Sequence, residues 1–185
     1  MSAQAPSSAA LSETVASAAA GAAVYVCRAD YANPRHAQVL VELLDAYAQD
    51  PMGGAEPLSD FAKQNLVACL AARPQAFSVL AFASPDETQP MGLINCIEGF
   101  STFACKPLVN VHDVAVLAAY RGQRVAERMF TLVHAIAKER GACKLTLEVL
   151  SGNLGALRLY TRLGFAQYQL DPAAGSAQFL QKWLE

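Results

Sequence analysis

The sequence predicts one α/β domain built around a mixed, mostly antiparallel β-sheet. Its 185 residues suit a single domain, and 54% of them are apolar while only 16% are charged, so a sizeable core is available. Segments with strand-like and helix-like spacing follow one another in the order β-α-α-β-β-β-α-β-α-β-β. This order predicts about six to seven strands flanked by about four helices, in the α/β (α+β) class.

The chain is expected to begin with a flexible tail and to continue as one domain. Residues 1–23 are mostly Ala and Ser, and they lack the early basic residues of a secretory signal peptide. The domain then spans residues 24–185. It opens with a strand over 24–30, where β-branched and aromatic residues are concentrated.

Two amphipathic helices follow this strand. Asn33 is a suitable N-cap and Pro34 suits the first helical position, so the apolar spacing that follows predicts a helix over 34–49. Ser59 caps a second helix, which is expected to end near Ala72.

Three strands are expected in the centre of the chain, over 76–84, 89–102 and 108–117. The turn-rich sequence PDETQ joins the first two strands and predicts a hairpin. The third strand is almost wholly apolar, which is typical of a central strand buried on both faces.

The remainder of the chain alternates between helices and strands. Apolar spacing predicts helices over 123–140 and 153–163, separated by an alternating strand over 143–151. Two further strands are expected over 165–170 and 177–184.

Composition excludes several classes of protein. A net charge of -2 argues against an electrostatic nucleic-acid binder, and no apolar run approaches the ~20 residues of a membrane helix. The five cysteines include no CxxC pair, which argues against a metal site or a disulfide scaffold. Reduced thiols suit a cytoplasmic protein. The net charge and the short apolar runs lead us to expect neither a nucleic-acid partner nor a membrane partner.

The most informative segment is the entry into the helix over 123–140. The first turn of a helix carries free N–H groups and partial positive charge, so a phosphate can bind there. Gly122 lets a ligand approach the backbone closely, and Arg121 and Arg124 add cationic donors. On these residues alone, an ordinary β–α turn is the alternative.

Two segments of the chain resemble the signature motifs of the GNAT superfamily of N-acetyltransferases. In VHDVAVLAAYRGQRVAERMF, Arg121 and Ala126 fill the first and last motif positions, while Arg124 replaces the middle glycine. In EVLSGNLGALRLYTRLGF, Asn153 and Tyr160 stand at the expected spacing. The similarity extends over roughly residues 24–185 and is nearest to the spermidine/spermine (diamine) acetyltransferase-like branch of small-molecule enzymes.

The resemblance implies transfer of an acetyl group from acetyl-CoA to an amine within a ternary complex, without a metal. The implied acceptor is the primary amine of a small molecule such as a polyamine, an amino acid or an aminoglycoside-like compound. Two alternatives stay open: a non-catalytic acyl-CoA-binding sensor or interaction module, and an acetyltransferase of protein N-termini or lysines. Homodimers are common in the superfamily, so a homodimer is among the expected assemblies.

The resemblance also implies where coenzyme A binds. The pantetheine arm would pair with the backbone of Val114, Ala115 and Val116, and a β-bulge in that segment would open the sheet. Asn153 would cap its helix and contact the coenzyme arm. The expected diphosphate loop consists of Arg121, Gly122, Gln123, Arg124, Val125 and Ala126.

The resemblance also implies the catalytic groups, and the chemistry of amine acetylation indicates what each would do. Tyr160 is the expected proton donor to the departing thiolate, and a buried core tyrosine is the alternative. His112 is the expected base that deprotonates the amine, and a structural histidine is its alternative. On an alternating strand His112 and Asp113 should point to opposite faces. Three carboxylates are candidate ligands of a cationic acceptor or solvated surface charges: Asp50, Glu56 and Glu98.

Arg124 departs from the motif, and its backbone conformation decides the consequence. If that backbone is already helical, an arginine fits there without strain. If it requires a positive φ, the arginine is strained and affinity for the coenzyme should drop. We expect the helical conformation.

Overall fold

The computed structural model describes residues 23–168, 171, 173, 175 and 177–184. These residues form a mixed five-stranded sheet with the order β1-β2-β3-β4-β5, in which β1 to β4 are antiparallel and β5 runs parallel to β4. The strands are β1 (Tyr25–Arg28), β2 (Ala76–Phe82), β3 (Pro90–Ser101), β4 (Lys106–Val116) and β5 (Leu145–Leu147). The four α-helices are α1 (Pro34–Ala48), α2 (Asp60–Ala71), α3 (Val125–Glu139) and α4 (Leu154–Arg162), and a short 3₁₀ turn covers Ala118–Tyr120.

Side-chain caps begin three of these helices, as the sequence predicted. The side-chain oxygens of Asn33, Ser59 and Asn153 each accept a hydrogen bond from a backbone N–H in the first turn of α1, α2 and α4, respectively. At the other end of α4, Gly164 takes a φ of 87°, the left-handed conformation that often follows a helix. Local sequence signals therefore fix the ends of these elements.

The sheet separates two hydrophobic cores. On one face, α3 packs Met129 and Val133 against the strands, and Tyr160 of α4 joins the same cluster. On the other face, α1 packs Leu40 and Leu43 against β2 and β3, with α2 outside. α1 and α3 bury their apolar stripes on the sheet. Because β4 and β5 are parallel, the helices that follow them, α3 and α4, begin at the same end of β4.

A β-bulge interrupts β4. Val111 and Asp113 pair with consecutive residues of β3, so His112 has no partner on that strand. Residues two or four apart normally share a face of a strand, yet Val111 packs on the α3 side and Ala115 on the α1 side. The alternation therefore changes phase at His112, and the expectation that His112 and Asp113 point to opposite faces does not hold across this pair. The bulge precedes the segment 114–116 that we expected to contain it.

The parallel pair β4–β5 ends early and opens the sheet. Its last paired residues are Val111 and Leu147, whereas β4 continues to Val116. Beyond the bulge, the edge of β4 that faced β5 is therefore unpaired within the described residues. A gap of this kind between two parallel strands is a natural place for a ligand.

The C-terminal part of the chain differs from the prediction. Residues 165–168 and 177–184 form no strand, which makes the described sheet five-stranded rather than six- or seven-stranded. In 177–184, Phe179 and Trp183 are 74% and 85% exposed, so the apolar pattern there is not matched by burial. A strand requires a pairing edge as well as a suitable pattern, and these residues have none in the structure.

The predicted tail over 1–23 falls almost entirely on residues 1–22, which lie outside the described residues. Within the described ranges, no helix combines the length and the apolar character needed to cross a bilayer.

Candidate active site

A groove of about 1470 Å³ lies where β4 and β5 diverge. Its floor is β4 from Val111 to Val116, and its walls come from α1 and the loop after it on one side and from α3 and α4 on the other. Most of the residues predicted for coenzyme binding meet here. They are Val114, Ala115, Val116, Arg121, Gly122, Arg124, Val125, Ala126 and Asn153, with His112 and Tyr160 beside them.

The start of α3 provides uncapped backbone donors in this groove. Unlike α1, α2 and α4, α3 has no side chain that caps its first turn. Its first helical hydrogen bond runs from the N–H of Arg128 to the carbonyl of Arg124, so the amides of Val125, Ala126 and Glu127 precede that bond. These amides and the positive end of the helix dipole suit a diphosphate.

Arg124 does not take the helical conformation that we expected. Its φ of 59° and ψ of 24° place it in the left-handed region, and Gly122, two residues earlier, also has a positive φ, of 78°. The chain turns sharply from the 3₁₀ segment into α3, and this turn imposes the conformation at residue 124. A Cβ makes this left-handed conformation unfavourable, so a glycine suits position 124 better than an arginine does.

Arg121 bridges the two walls of the groove. Its Nη2 donates to Oδ2 of Asp50 at 2.8 Å, and its Nε donates to the carbonyl of Val116 at 3.1 Å. Asp50 in turn holds the loop after α1, because its Oδ1 accepts from the N–H of Met52. The Arg121 guanidinium and the Met52 N–H keep the pKa of Asp50 below its ordinary value. Arg121, a predicted ligand of the coenzyme, and Asp50, a predicted ligand of the acceptor, are thus paired with each other.

Tyr160 is buried in an aromatic cluster but reaches the groove. Its ring makes edge-to-face contacts with Phe130 and Phe165, with centroids 5.9 and 5.8 Å away. Burial, and to a smaller degree the neighbouring Tyr47, raises the pKa of Tyr160 to about 12. The phenol therefore stays protonated over the whole physiological range and can act as a hydrogen-bond donor.

His112 and Asp113 stand at the bulge. His112 is exposed and lines the groove. The carboxylate of Asp113 is held by a hydrogen bond, because its Oδ2 accepts from Nδ2 of Asn95 at 3.0 Å. Oδ1 of Asn95 accepts from the hydroxyl of Ser78 at 2.6 Å, and the Ser78 hydroxyl is also hydrogen-bonded to the hydroxyl of Tyr31 at 2.9 Å. A buried polar chain across three strands thus fixes the orientation of Asp113.

Two predicted acceptor ligands lie away from the groove. Oε2 of Glu98 pairs with Nη1 of Arg140 at 3.0 Å, at the C-terminal end of α3. Glu56 is exposed in the loop between α1 and α2 and does not line the groove. Gln123 is also absent from the lining, and its side chain donates to the carbonyl of Ala119. Of the three carboxylates, only Asp50 lines the groove.

Several residues that line the groove were not singled out from the sequence. Tyr47 is one of them: burial raises the pKa of its phenol, and the charges of Asp113 and Asp50 add to that rise. Met52 and Arg158 also line the groove. The helical spacing of Tyr47 marks an inward-facing residue, but the sequence carries no signal that the groove reaches it.

One cluster of potential metal ligands forms among the described residues, outside the groove. Cys27, His36 and Glu87 place their ligand atoms within 4.8 Å of one another. Nδ1 of His36 accepts from the N–H of Asp30, so Nε2 carries the ring proton and donates to Oε2 of Glu87 at 3.0 Å. A metal at Nε2 would require the proton to move to Nδ1, against that backbone donor. We interpret the cluster as hydrogen bonding that holds the β2–β3 turn on α1.

The comparisons with known proteins agree with this architecture. A family model described as the acetyltransferase (GNAT) family matches residues 40–165. A streptothricin acetyltransferase of Streptomyces lavendulae is 35% identical over 65 residues, which are 35% of this chain and 34% of that protein. N-alpha-acetyltransferase 30 of Schizosaccharomyces pombe is 36% identical over 56 residues, or 30% of this chain and 37% of that protein. The matched segments thus span about a third of each curated relative.

Solved structures share the fold at low sequence identity. One is an aminoglycoside acetyltransferase from an uncultured soil metagenomic sample, determined in complex with trehalose. It superposes with a TM-score of 0.69 at 16% identity, covering 87% of this chain and 97% of its own. At this identity the likeness concerns the fold alone.

Proposed function

The chain belongs to the acetyltransferase (GNAT) family, and on that premise we propose that it transfers an acetyl group from acetyl-CoA to a primary amine of a small molecule. One observation carries the proposal. The unpaired edge of β4 beyond the bulge, the uncapped start of α3 and the phenol of Tyr160 all open into the same groove.

The groove matches the chemical parts of coenzyme A. The amides of Val125 and Ala126 would hold the diphosphate, and the edge of β4 over 112–116 would pair with the amide groups of the pantetheine arm. Asn153 lines the same groove while its Oδ1 caps α4, which leaves its Nδ2 as a donor. When bound, acetyl-CoA supplies the activated acyl group.

The groups beside the bulge can carry out the transfer. His112 would remove a proton from the acceptor ammonium, and the neutral amine then forms the N–C bond as the C–S bond breaks. A backbone N–H at the unpaired edge of β4 would stabilise the charge on the acyl oxygen. Asp113 is the alternative base on the same strand.

Tyr160 is suited to stabilise the leaving sulfur. Its pKa of about 12 lies above the value of about 8.5 for a thiol, so complete proton transfer to the thiolate is unfavourable. A hydrogen bond from the phenol lowers the energy of the thiolate without that transfer. We therefore assign Tyr160 as a donor to sulfur, and solvent supplies the final proton.

A cationic acceptor suits the α1 side of the groove. Tyr47 presents an aromatic ring there; burial raises the pKa of its phenol, and the nearby charges of Asp113 and Asp50 add to that rise. Such surroundings favour an ammonium group. A polyamine, an amino acid or an aminoglycoside-like amine would fit, in agreement with the similarity to a streptothricin acetyltransferase. The diamine-acetyltransferase-like branch remains our proposal among them.

Acetylation of protein N-termini is the second candidate, and the similarity to N-alpha-acetyltransferase 30 favours it. The third candidate is a module that binds acyl-CoA without turnover, which the strained Arg124 keeps open. We further expect a cytoplasmic protein that needs no metal, and we expect it to assemble as a homodimer.

A thiol-release assay distinguishes these candidates. The full chain is incubated with acetyl-CoA and, separately, with spermidine, an aminoglycoside, free amino acids and N-terminal peptides, and free CoA is measured. Turnover with a small amine but not with peptides supports the proposal. Turnover with peptides alone assigns the second candidate, and calorimetric binding of CoA without turnover on any amine assigns the third. Repeating the productive reaction with a chelator tests the expectation that no metal is required.

A further inference from the structure

A row of polar side chains crosses the face of the sheet that α1 covers. Ser78, Asn95 and Asp113 occupy neighbouring register positions on β2, β3 and β4. Side chains two residues apart on a strand share a face, and the residues at that spacing belong to the core under α1: Leu80, Leu93 and Ala115. Ser78 and Asn95 are only 0% and 4% exposed, so this row costs desolvation free energy that apolar side chains would not.

The hydrogen bonds in this row all run toward Asp113. The Ser78 hydroxyl donates to Oδ1 of Asn95 at 2.6 Å, so it accepts from the hydroxyl of Tyr31 at 2.9 Å. Burial raises the pKa of Tyr31, which keeps that hydroxyl protonated and able to donate. Nδ2 of Asn95 donates in turn to Oδ2 of Asp113 at 3.0 Å. The row therefore ends in a charge-assisted hydrogen bond to a carboxylate.

The carboxylate of Asp113 lies beside the groove. Its two neighbours on β4, His112 and Val114, line the groove, and its own side chain is half-buried. Burial raises the pKa of Tyr47, and the charge of Asp113 adds to that rise, so the carboxylate acts on the α1 side of the groove. Among the described residues, no group donates a hydrogen bond to Oδ1 of Asp113, and this oxygen is available to a ligand.

Asp113 differs in this respect from the other carboxylate whose charge acts on Tyr47. Asp50 is paired with Arg121 at 2.8 Å, whereas Asp113 has no cationic partner in the part of the chain that the structure describes. A carboxylate without a counter-ion, next to an aromatic ring, attracts a cation.

The chemistry of the reaction indicates which cation this is. The amine that attacks the thioester must be neutral, and a carboxylate that binds it as an ammonium opposes its deprotonation. A fixed carboxylate is better suited to a cationic group of the acceptor that keeps its charge throughout the reaction.

We propose that Asp113 binds a second ammonium group of the acceptor, and that Asn95, Ser78 and Tyr31 are positioning residues that hold its carboxylate for this purpose. The inference rests on the proposed function and narrows the acceptor to amines with two or more cationic groups. It leaves His112 as the base, and it gives the polar row under α1 a role that offsets the cost of burying it.

Steady-state kinetics of the full chain with acetyl-CoA and two amines of the same carbon chain, putrescine and n-butylamine, test the proposal. We expect kcat/KM to be about 10- to 100-fold higher for putrescine, the contribution of one hydrogen bond between charged groups. Asp113→Asn should remove most of this preference by raising KM for putrescine, with little change in kcat or in the reaction of n-butylamine.

Variants of the row separate a positioning role from a merely structural one. Asn95→Leu removes the hydrogen bond to Asp113 at similar side-chain volume, and it should reduce the preference for putrescine nearly as much as Asp113→Asn does. Tyr31→Phe removes only the outermost hydroxyl and should reduce the preference by about two- to threefold. Asn110→Leu is the matched control: Asn110 also lies on β4 and donates to Thr146 of the next strand at 3.3 Å, but it is outside the groove lining, so its preference should be unchanged.

Several outcomes would overturn the proposal. One is an unmodified protein without a preference for putrescine, or with turnover confined to amines that carry a single charge. Another is an Asn95→Leu protein that loses activity equally with both amines or keeps the full preference. If Asn95→Leu does not fold, an unchanged preference in both Tyr31→Phe and Ser78→Ala has the same meaning. A loss of about 10²- to 10⁴-fold with both amines in Asp113→Asn would make Asp113 the base instead. Absence of turnover with every small amine refutes the proposed function itself.

Discussion

Replacing Asp50 by asparagine should tighten the binding of coenzyme A. In the structure, Oδ2 of Asp50 holds the guanidinium of Arg121 in an ion pair at 2.8 Å. An asparagine keeps the oxygen that accepts from Met52, so the loop after α1 retains its turn. The substitution therefore removes one partner of Arg121 and leaves the loop in place, and the released guanidinium becomes available to a phosphate.

The expected gain follows from the exposure of the pair. The Arg121 side chain is 59% exposed and that of Asp50 is 23% exposed, so solvent screens much of their attraction. Ion pairs of this kind contribute about 0.2–1 kcal/mol, which corresponds to at most about a fivefold change in affinity. We expect the dissociation constant for CoA to fall by about two- to fivefold at low salt, and the gain to shrink as ionic strength rises.

Calorimetric titration of four proteins measures this effect: the unmodified chain, Asp50→Asn, Arg121→Gln and the double variant. The gain should vanish in the Arg121→Gln background, because it acts through that guanidinium. Asp45→Asn is a close control, since Asp45 pairs with Lys63 at 3.0 Å and also accepts a loop N–H, from Leu58. Weaker CoA binding in Asp50→Asn, or a gain that persists without Arg121, would refute the reasoning.

Three further predictions concern the reaction and the pH dependence of folding stability. Tyr160→Phe should lower kcat by about 10- to 100-fold, because it removes one hydrogen bond to a charged sulfur, and it should change the affinity for CoA little. An unchanged kcat, measured where chemistry limits the rate, would remove Tyr160 from the reaction. His112→Gln should lower kcat/KM by about 10²- to 10⁴-fold, the usual contribution of a general base, and if Asp113→Asn has that effect instead, the base is Asp113. Burial raises the pKa of Cys27, Cys96 and Tyr160 to about 12 from ordinary values of 9.0 and 10.0, so the unfolded chain loses these protons first. The free energy of unfolding should therefore fall as pH rises from 9 to 12, by at most about 1.4 kcal/mol per pH unit per group, and a flat alkaline profile would contradict these shifts.

Features that depend on neighbouring residues were predictable from the sequence. Asn33, Ser59 and Asn153 cap the helices that they were expected to cap, because a cap and its target lie within three residues. The main helices and central strands follow from apolar spacing for the same reason. That the coenzyme-binding segments lie together in one groove was predicted from the two sequence motifs and their order along the chain.

Features that depend on pairing across the sheet were not predictable. The resemblance implied a bulge on β4, but its position at His112 is a property of the register between β3 and β4, and a one-residue shift leaves no mark in the sequence of either strand. The left-handed conformation of Arg124 follows from how the chain enters α3. The residue type alone led us to expect a helical backbone there, because an arginine disfavours a positive φ. The 71-residue separation between Asp50 and Arg121 likewise hides their pairing.

The C-terminal segment shows the limit of pattern alone. Its alternation resembles that of a strand, yet strands are stabilised by hydrogen bonds to a neighbour that the pattern does not name. Glu98 illustrates the same point for charges. Its place on a strand near the groove suggested a ligand, whereas Arg140, 42 residues away, holds it on the opposite face of the sheet from α1.

A crystal structure of the full chain with bound CoA is the most direct test of the account. We predict diphosphate oxygens at about 2.7–3.2 Å from the backbone nitrogens of Val125 and Ala126, with the pantetheine arm along β4 beyond His112. A coenzyme bound elsewhere on the chain, or a diphosphate that makes no contact with the first turn of α3, would contradict the central claim.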